Sequence, residues 1–149
     1  MSTFAEVGSF FGRAGGRLLG ELPGTLEMIG RVVQKTAAAK LGVLQPAVGP
    51  FPAWKPLAPA TVASKGHAQP LYDTGELKES GIGYTVQSTR LQVVIGSPLD
   101  RALFAELGTA TEPPRPFLGP AVLESEKTII ALVGGAITTA FGVRGERLI

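Results

Sequence analysis

Cysteine is absent from this 149-residue chain and histidine occurs once, at His67. Disulfides and thiolate nucleophiles are thereby excluded, as is a zinc site built on clustered imidazoles; a metal would have to be held by oxygen alone. Charge is scarce as well: 14 Lys and Arg against 12 Asp and Glu leave a formal charge of +2. The dense basic stripe that supplies most nucleic-acid affinity is missing, so tight DNA binding by a free subunit is not expected. Long uninterrupted apolar runs are also lacking. Residues 128–143 carry no charge over sixteen positions, but they hold Thr128, Thr138, Thr139 and a Gly134-Gly135 pair, and a spanning helix needs about twenty apolar residues. A buried or interface helix is the expectation there. Residues 1–22 contain Glu6, Arg13, Arg17 and five glycines, which is not the apolar core and cleavage site of a secretory signal.

Glycine and proline are plentiful, at 20 and 12 residues. They point to long turns joining a modest number of regular elements within one globular unit. The expected division is an N-terminal arm or short helix over 1–21, followed by a domain over 22–149. Within the arm, Phe4, Val7, Phe10 and Phe11 fit one helical face. From Pro23 the pattern sharpens: Leu26, Ile29, Val33, Ala37 and Leu41 recur at spacings of three and four, which predicts a helix starting at Pro23 and stopping at Gly42. Glu27 and Arg31 form an i,i+4 pair on it. Prolines 46, 50, 52, 56 and 59 make residues 45–69 an extended connection, since each removes a backbone donor. A loop of that length is functional or ordered by a partner. Trp54 within it is an anchor either on the core, the preferred reading, or at an interface.

Farther along, Asp73 or Thr74 could cap a short turn at Glu76-Leu77-Lys78-Glu79. Tyr84–Ser88 and Arg90–Gly96 read as an antiparallel hairpin. Asp100–Leu107 reads as a short helix with Ala102, Leu103 and Leu107 on one side, ending at Gly108. Pro113, Pro114 and Pro116 form an extended strap, after which 118–141 resumes a helical pattern through Val122, Leu123, Ile129, Ile130, Val133 and Ile137. The expected class is therefore α+β, with a small antiparallel β-sheet packed against a long N-terminal helix and a C-terminal helix, and long proline-rich loops.

Candidate chemistry is thin. Asp73-Thr74-Gly75 matches the aspartic-protease triplet, in which paired carboxylates share a proton. Its setting between Tyr72 and the polar turn at Glu76 lacks the flanking apolar strands. No phosphate loop or nucleophile elbow is present. Glu106, Glu112, Glu124 and Glu126 look like scattered face or helix-end charges. No catalytic, cofactor-binding or metal-ligating residue is expected, and the chain reads as non-enzymatic.

Several motifs nevertheless follow one order: Trp54-Lys55-Pro56-Leu57, then Thr61 and Lys65, then Pro70-Leu71-Tyr72-Asp73-Thr74-Gly75-Glu76-Leu77 with Ser80. Phe104-Ala105-Glu106-Leu107-Gly108-Thr109 and Arg115-Pro116-Phe117-Leu118-Gly119-Pro120-Ala121 complete the series. In this the chain resembles the tail-completion, head-tail joining or virion morphogenesis proteins of the tailed-bacteriophage neck, the Mu-like group included, over about residues 22 to 141. The family often carries Tyr-Ala and a His just before its Glu-x-Gly-Thr motif, where this chain has Leu103-Phe104-Ala105.

The resemblance implies a structural virion protein without catalytic activity or cofactor. It further implies a homo-oligomeric ring of six copies at the head-tail interface, assembled in the bacterial cytoplasm. The partners implied are a connector or stopper protein on one side and a tail terminator or tail tube protein on the other, with viral DNA passing through the lumen without specific binding and no membrane involved. Structural or interface residues are then Trp54, Leu57, Leu71, Asp73, Thr74, Gly75, Leu77, Glu106, Gly108, Thr109, Arg115, Pro116 and Phe117.

On the residues themselves, Asp73 and Thr74 cap, Leu77 plugs the core, and the strap Glu112–Pro116 leaves the domain, with Arg115 serving either the fold or a neighbouring subunit. Arg115→Ala with Phe117→Ala is accordingly expected to leave a folded monomer that fails to join heads to tails. The alternative reading is a membrane-active protein, with 128–143 entering a bilayer and the N-terminal stretch at its surface.

Overall fold

The structure, a computed structural model, describes residues 3–142. Its class is α+β, as expected: helices α1 (Phe4–Lys40), α2 (Pro59–Lys65) and α3 (Glu76–Glu79), strands β1 (Gly83–Gln87) and β2 (Gln92–Gly96), then α4 (Asp100–Leu107), α5 (Leu118–Glu124) and α6 (Glu126–Ala140). The strands form one two-stranded antiparallel sheet, in register from Gly83 opposite Gly96 to Gln87 opposite Gln92. A single 3-10 turn, Ser88–Arg90, joins them.

The second half of α1 organises the body. Ile29, Val33, Ala37 and the following Leu41 are buried, as their spacing predicts. Around them pack Trp54, Leu77, Ile82, Ala102, Ala105, Phe117 and Ala121. The hairpin lies on this stretch of α1, where Tyr84 donates its hydroxyl to Glu27 Oε1 at 2.6 Å and accepts from Arg31 Nε at 3.2 Å. That hydroxyl, ahead of Glu27, raises the pKa of the exposed Arg31. The Glu27–Arg31 pair forms at 3.6 Å.

The helix ends as its sequence indicates. Gly42 has φ +87°, a left-handed residue of the kind that stops helices. Its amide donates to Pro70 O at 2.8 Å, and Lys78 Nζ donates to Leu41 O at 3.1 Å. Near the same end, the 5% exposed Lys40 pairs with Glu124 Oε2 at 2.7 Å, tying α1 to α5.

Several expectations are corrected. The helix does not start at Pro23, and residues 4–21 are not a separate arm or short helix. They are the first half of a 37-residue α1 that runs through Pro23 and extends about 55 Å. Its start is a capping box: Thr3 Oγ1 accepts from the Glu6 amide at 3.2 Å, and Glu6 Oε2 accepts from the Thr3 amide at 2.7 Å. Pro23 cannot donate to Leu19 O, yet the helix persists because α6 lies alongside it. Phe141 packs edge-on against Phe10 and Phe11 with ring centroids 6.1 Å apart, and Ser125 Oγ reaches Thr36 Oγ1 at 3.4 Å. The two contacts show α6 running back along α1. Ala14, Ala136 and Ala140 are buried.

The proline-rich connection is not irregular throughout. Its last residues form α2, with Pro59 in the first turn, where a missing amide costs nothing. Nor is 118–141 one helix: α5 and α6 break at Ser125, which is buried. On α4, Leu103 and Leu107 point outward at 57% and 70% exposure, whereas Ala102 and Ala105 are buried. Small side chains let α4 approach the core closely, and the large ones face away.

Each interior helical glycine costs roughly 1 kcal/mol relative to alanine. Nothing lies within 4 Å of a Cβ built at Gly12 or Gly16. Gly12→Ala and Gly16→Ala are each expected to stabilise the isolated subunit by about 0.5–1 kcal/mol, read from urea denaturation.

Candidate interaction surface

Most of the motif residues fall into two groups. The first is a lock between the two proline-rich segments. Trp54 is 4% exposed and its Nε1 donates to Pro116 O at 2.9 Å, so this indole anchors on the core. Arg115 is 8% exposed; its Nε donates to Lys55 O at 3.1 Å and its Nη2 to Pro56 O at 3.4 Å, while its amide donates to Ala105 O at 2.7 Å. Phe117 is fully buried and Pro116 is buried beside it. Leu57 is half-buried at the end of the same segment.

Glu106 closes the lock. Its Oε2 accepts from the amides of Phe117 at 2.8 Å and Leu118 at 3.0 Å, and its Oε1 accepts from the amide of Gly119 at 2.9 Å. These are the free amides at the start of α5, whose N-cap residue, Phe117, supplies no side-chain acceptor. A carboxylate there satisfies orphan donors and meets the positive end of the helix dipole. Glu106 is thus no scattered surface charge. The sequence does contain a signal for it: Arg-Pro-Phe-Leu-Gly starts a helix without a local Ser, Thr, Asp or Asn, which requires an acceptor from elsewhere.

The strap therefore does not leave the domain. Gly108, at φ +76°, turns the chain so that its own Cβ position would lie 2.9 Å from Pro114 N. Thr109 Oγ1 then accepts from the amides of Thr111 and Glu112 at 3.3 and 3.0 Å, folding the strap back onto α4.

The second group lines a half-open cavity of about 150 Å³ formed by Lys65, Leu71, Asp73, Thr74, Gly75, Glu76, Leu77 and Arg101. Lys65 Nζ donates to Tyr72 O at 2.8 Å, and Arg101 pairs with Glu76. Leu77 is buried. Leu71 holds φ +54° and packs on the core. The expected cap at α3 differs: Gly75, left-handed at φ +84°, occupies the N-cap position without a side-chain bond. Thr74 Oγ1 accepts from the Glu76 amide at a long 3.4 Å. Asp73 is exposed and takes no part in the cap. Among the described residues, no three His, Asp or Glu side chains converge as a metal site would require.

Outside both groups lies a set of exposed large apolar side chains, two of them, Phe104 and Leu107, from the Phe104–Thr109 motif. Leu103, Phe104 and Leu107 share the outer side of α4. Phe4, Phe11 and Leu19 stand out from α1, and Ile130 from α6. Comparison with family models, with curated proteins and with solved structures finds no match in any of the three.

Burial reverses one expectation about the strap. Phe117→Ala empties a fully enclosed site and is expected to cost about 3–5 kcal/mol, so the double variant with Arg115→Ala would not remain a folded monomer. Glu106→Ala, which leaves three amides without their acceptor, is expected to cost about 3 kcal/mol. Both losses are measured by urea denaturation, with little change expected for Asp73→Asn.

Proposed function

We propose that this chain is a non-enzymatic structural protein of the tailed-phage neck, whose copies close into a ring between the head connector and the tail. The observation that carries the reading is the contrast between the buried motif residues and the exposed apolar ones, two of which, Phe104 and Leu107, lie in the same motif as Glu106. Trp54, Glu106, Arg115 and Phe117 are spent on holding two proline-rich segments to the core. Meanwhile Leu103, Phe104 and Leu107 on α4, Leu19 on α1 and Ile130 on α6 stay at half exposure or more. Apolar surface on this scale is what an assembled subunit buries against neighbours, and head-to-tail contacts that close generate rings.

On this reading six copies surround the DNA path, with a connector or stopper protein on one side and a tail terminator or tail tube protein on the other. A formal charge of +2 suits a conduit through which DNA slides, since strong phosphate pairing would hold it back. The protein belongs to the virion and assembles in the host cytoplasm. The membrane-active alternative gains no support: among the described residues, no helix is long and apolar enough to cross a membrane.

Leu107→Gln with Ile130→Gln changes two exposed helical positions and should leave the stability of the subunit nearly unaltered. In infected cells the double variant is expected to yield filled heads and free tails that do not join, counted by negative-stain microscopy. Normal joined particles, or infectious particles from which the chain is absent, would overturn the reading.

A further inference from the structure

We infer that the β1–β2 hairpin is the joint between copies of this chain: the outer edge of β1 in one copy pairs with the outer edge of β2 in the next. The inference rests on the ring reading for its closure, while the pairing itself is argued from the strands.

Among the described residues the sheet has two strands, so each is paired on one side and open on the other. In an antiparallel ladder alternate residues aim their N–H and C=O groups away from the partner strand. Among the described residues, no loop or turn backbone bonds to those outward groups over residues 83–87 or 92–96. Strand edges of this kind are templates for another chain unless charge, proline or a bulge blunts them. Neither Gly-Tyr-Thr-Val-Gln nor Gln-Val-Val-Ile-Gly contains a charge or a proline, and the register runs unbroken through all five pairs.

One face of the hairpin is covered by α1, against which Val93 and Ile95 pack. The other face is open: Thr85 and its cross-strand partner Val94 are both exposed, Val94 at 45%. At the tip, Leu91 holds φ +49° and is 42% exposed beside the start of β2, an apolar side chain in a backbone region that leucine rarely adopts.

The geometry selects the second copy as the occupant. β1 and β2 are antiparallel and equal in length, so β1 of one copy against β2 of the next continues the same antiparallel order. Each copy then uses both edges once. Repeating that step leaves no free edge when the ring closes, as barrel closure does for a sheet. Pairing β1 with β1 would leave both β2 edges open.

The test uses single-cysteine variants, which are unambiguous because the chain has no cysteine. Thr85→Cys and Val94→Cys change exposed positions, and circular dichroism checks that each folds as the parent does. The full-length variants are mixed and treated with a short bismaleimide able to bridge strands about 5 Å apart. The expected result is several-fold more cross-linked dimer from the mixture than from either variant alone, increasing with protein concentration, and no such gain when Glu112→Cys replaces one partner. A chain that stays monomeric at every concentration, or Thr85→Cys linking to itself as well as to Val94→Cys, would overturn the inference. Oligomers without the 85–94 link would sink the hairpin joint and leave the neck reading standing. The link formed by a chain missing from virions would do the reverse.

Discussion

The carboxylate of Glu106 is the interaction on which the arrangement of the second half of the chain depends. Three backbone amides at the start of α5 find their acceptor there, and without it that helix would begin inside the protein with unsatisfied donors. The same stretch supplies Pro116 O to the Trp54 indole and the Arg115 guanidinium to two carbonyls of the first proline-rich segment. Segments about sixty residues apart in sequence are thus fixed by polar bonds around one buried phenyl ring, Phe117. Because buried polar groups are costly when unpaired, these contacts set a single geometry as well as adding stability.

The first half of α1 shows a different balance. Six glycines between positions 8 and 24 and one proline weaken it as an isolated helix. Its persistence depends on α6, through the Phe10, Phe11 and Phe141 rings and the small buried Ala14, Ala136 and Ala140. Two helices alone cannot bury every apolar side chain they carry, and the remainder faces outward. The fold therefore has a well-packed body and a thinner two-helix extension whose apolar surface is incompletely covered.

Much of the body was legible in the sequence because its signals are local. The three-and-four spacing from Leu26 to Leu41, the alternation across Tyr84–Gly96 and the glycine stops at Gly42 and Gly108 each reflect backbone geometry within a few residues. What escaped depends on distant partners. Residues 4–21 resemble a weak arm because their support comes from more than a hundred positions away. The outward turn of Leu103 and Leu107 could not be read from periodicity, since Ala102 and Ala105 compete for the same inward role and win by being small. The strap appeared free because neither Arg115 nor Phe117 indicates whether its contacts lie inside the subunit or beyond it. Of the motif residues, the buried Trp54 and Leu77 were legible as core anchors, whereas the clamp at Glu106 was visible only as a helix start without a cap.

The position of Glu106 on α4 has a mechanical consequence. One side of this two-turn helix exposes Leu103 and Leu107, and the other grips α5, which continues through Ser125 into α6 and so reaches the far end of α1. A force on the outer side of α4 is borne by hydrogen bonds and close packing, with no slack loop in between. Torque at that short helix would tilt the whole helical extension as a lever.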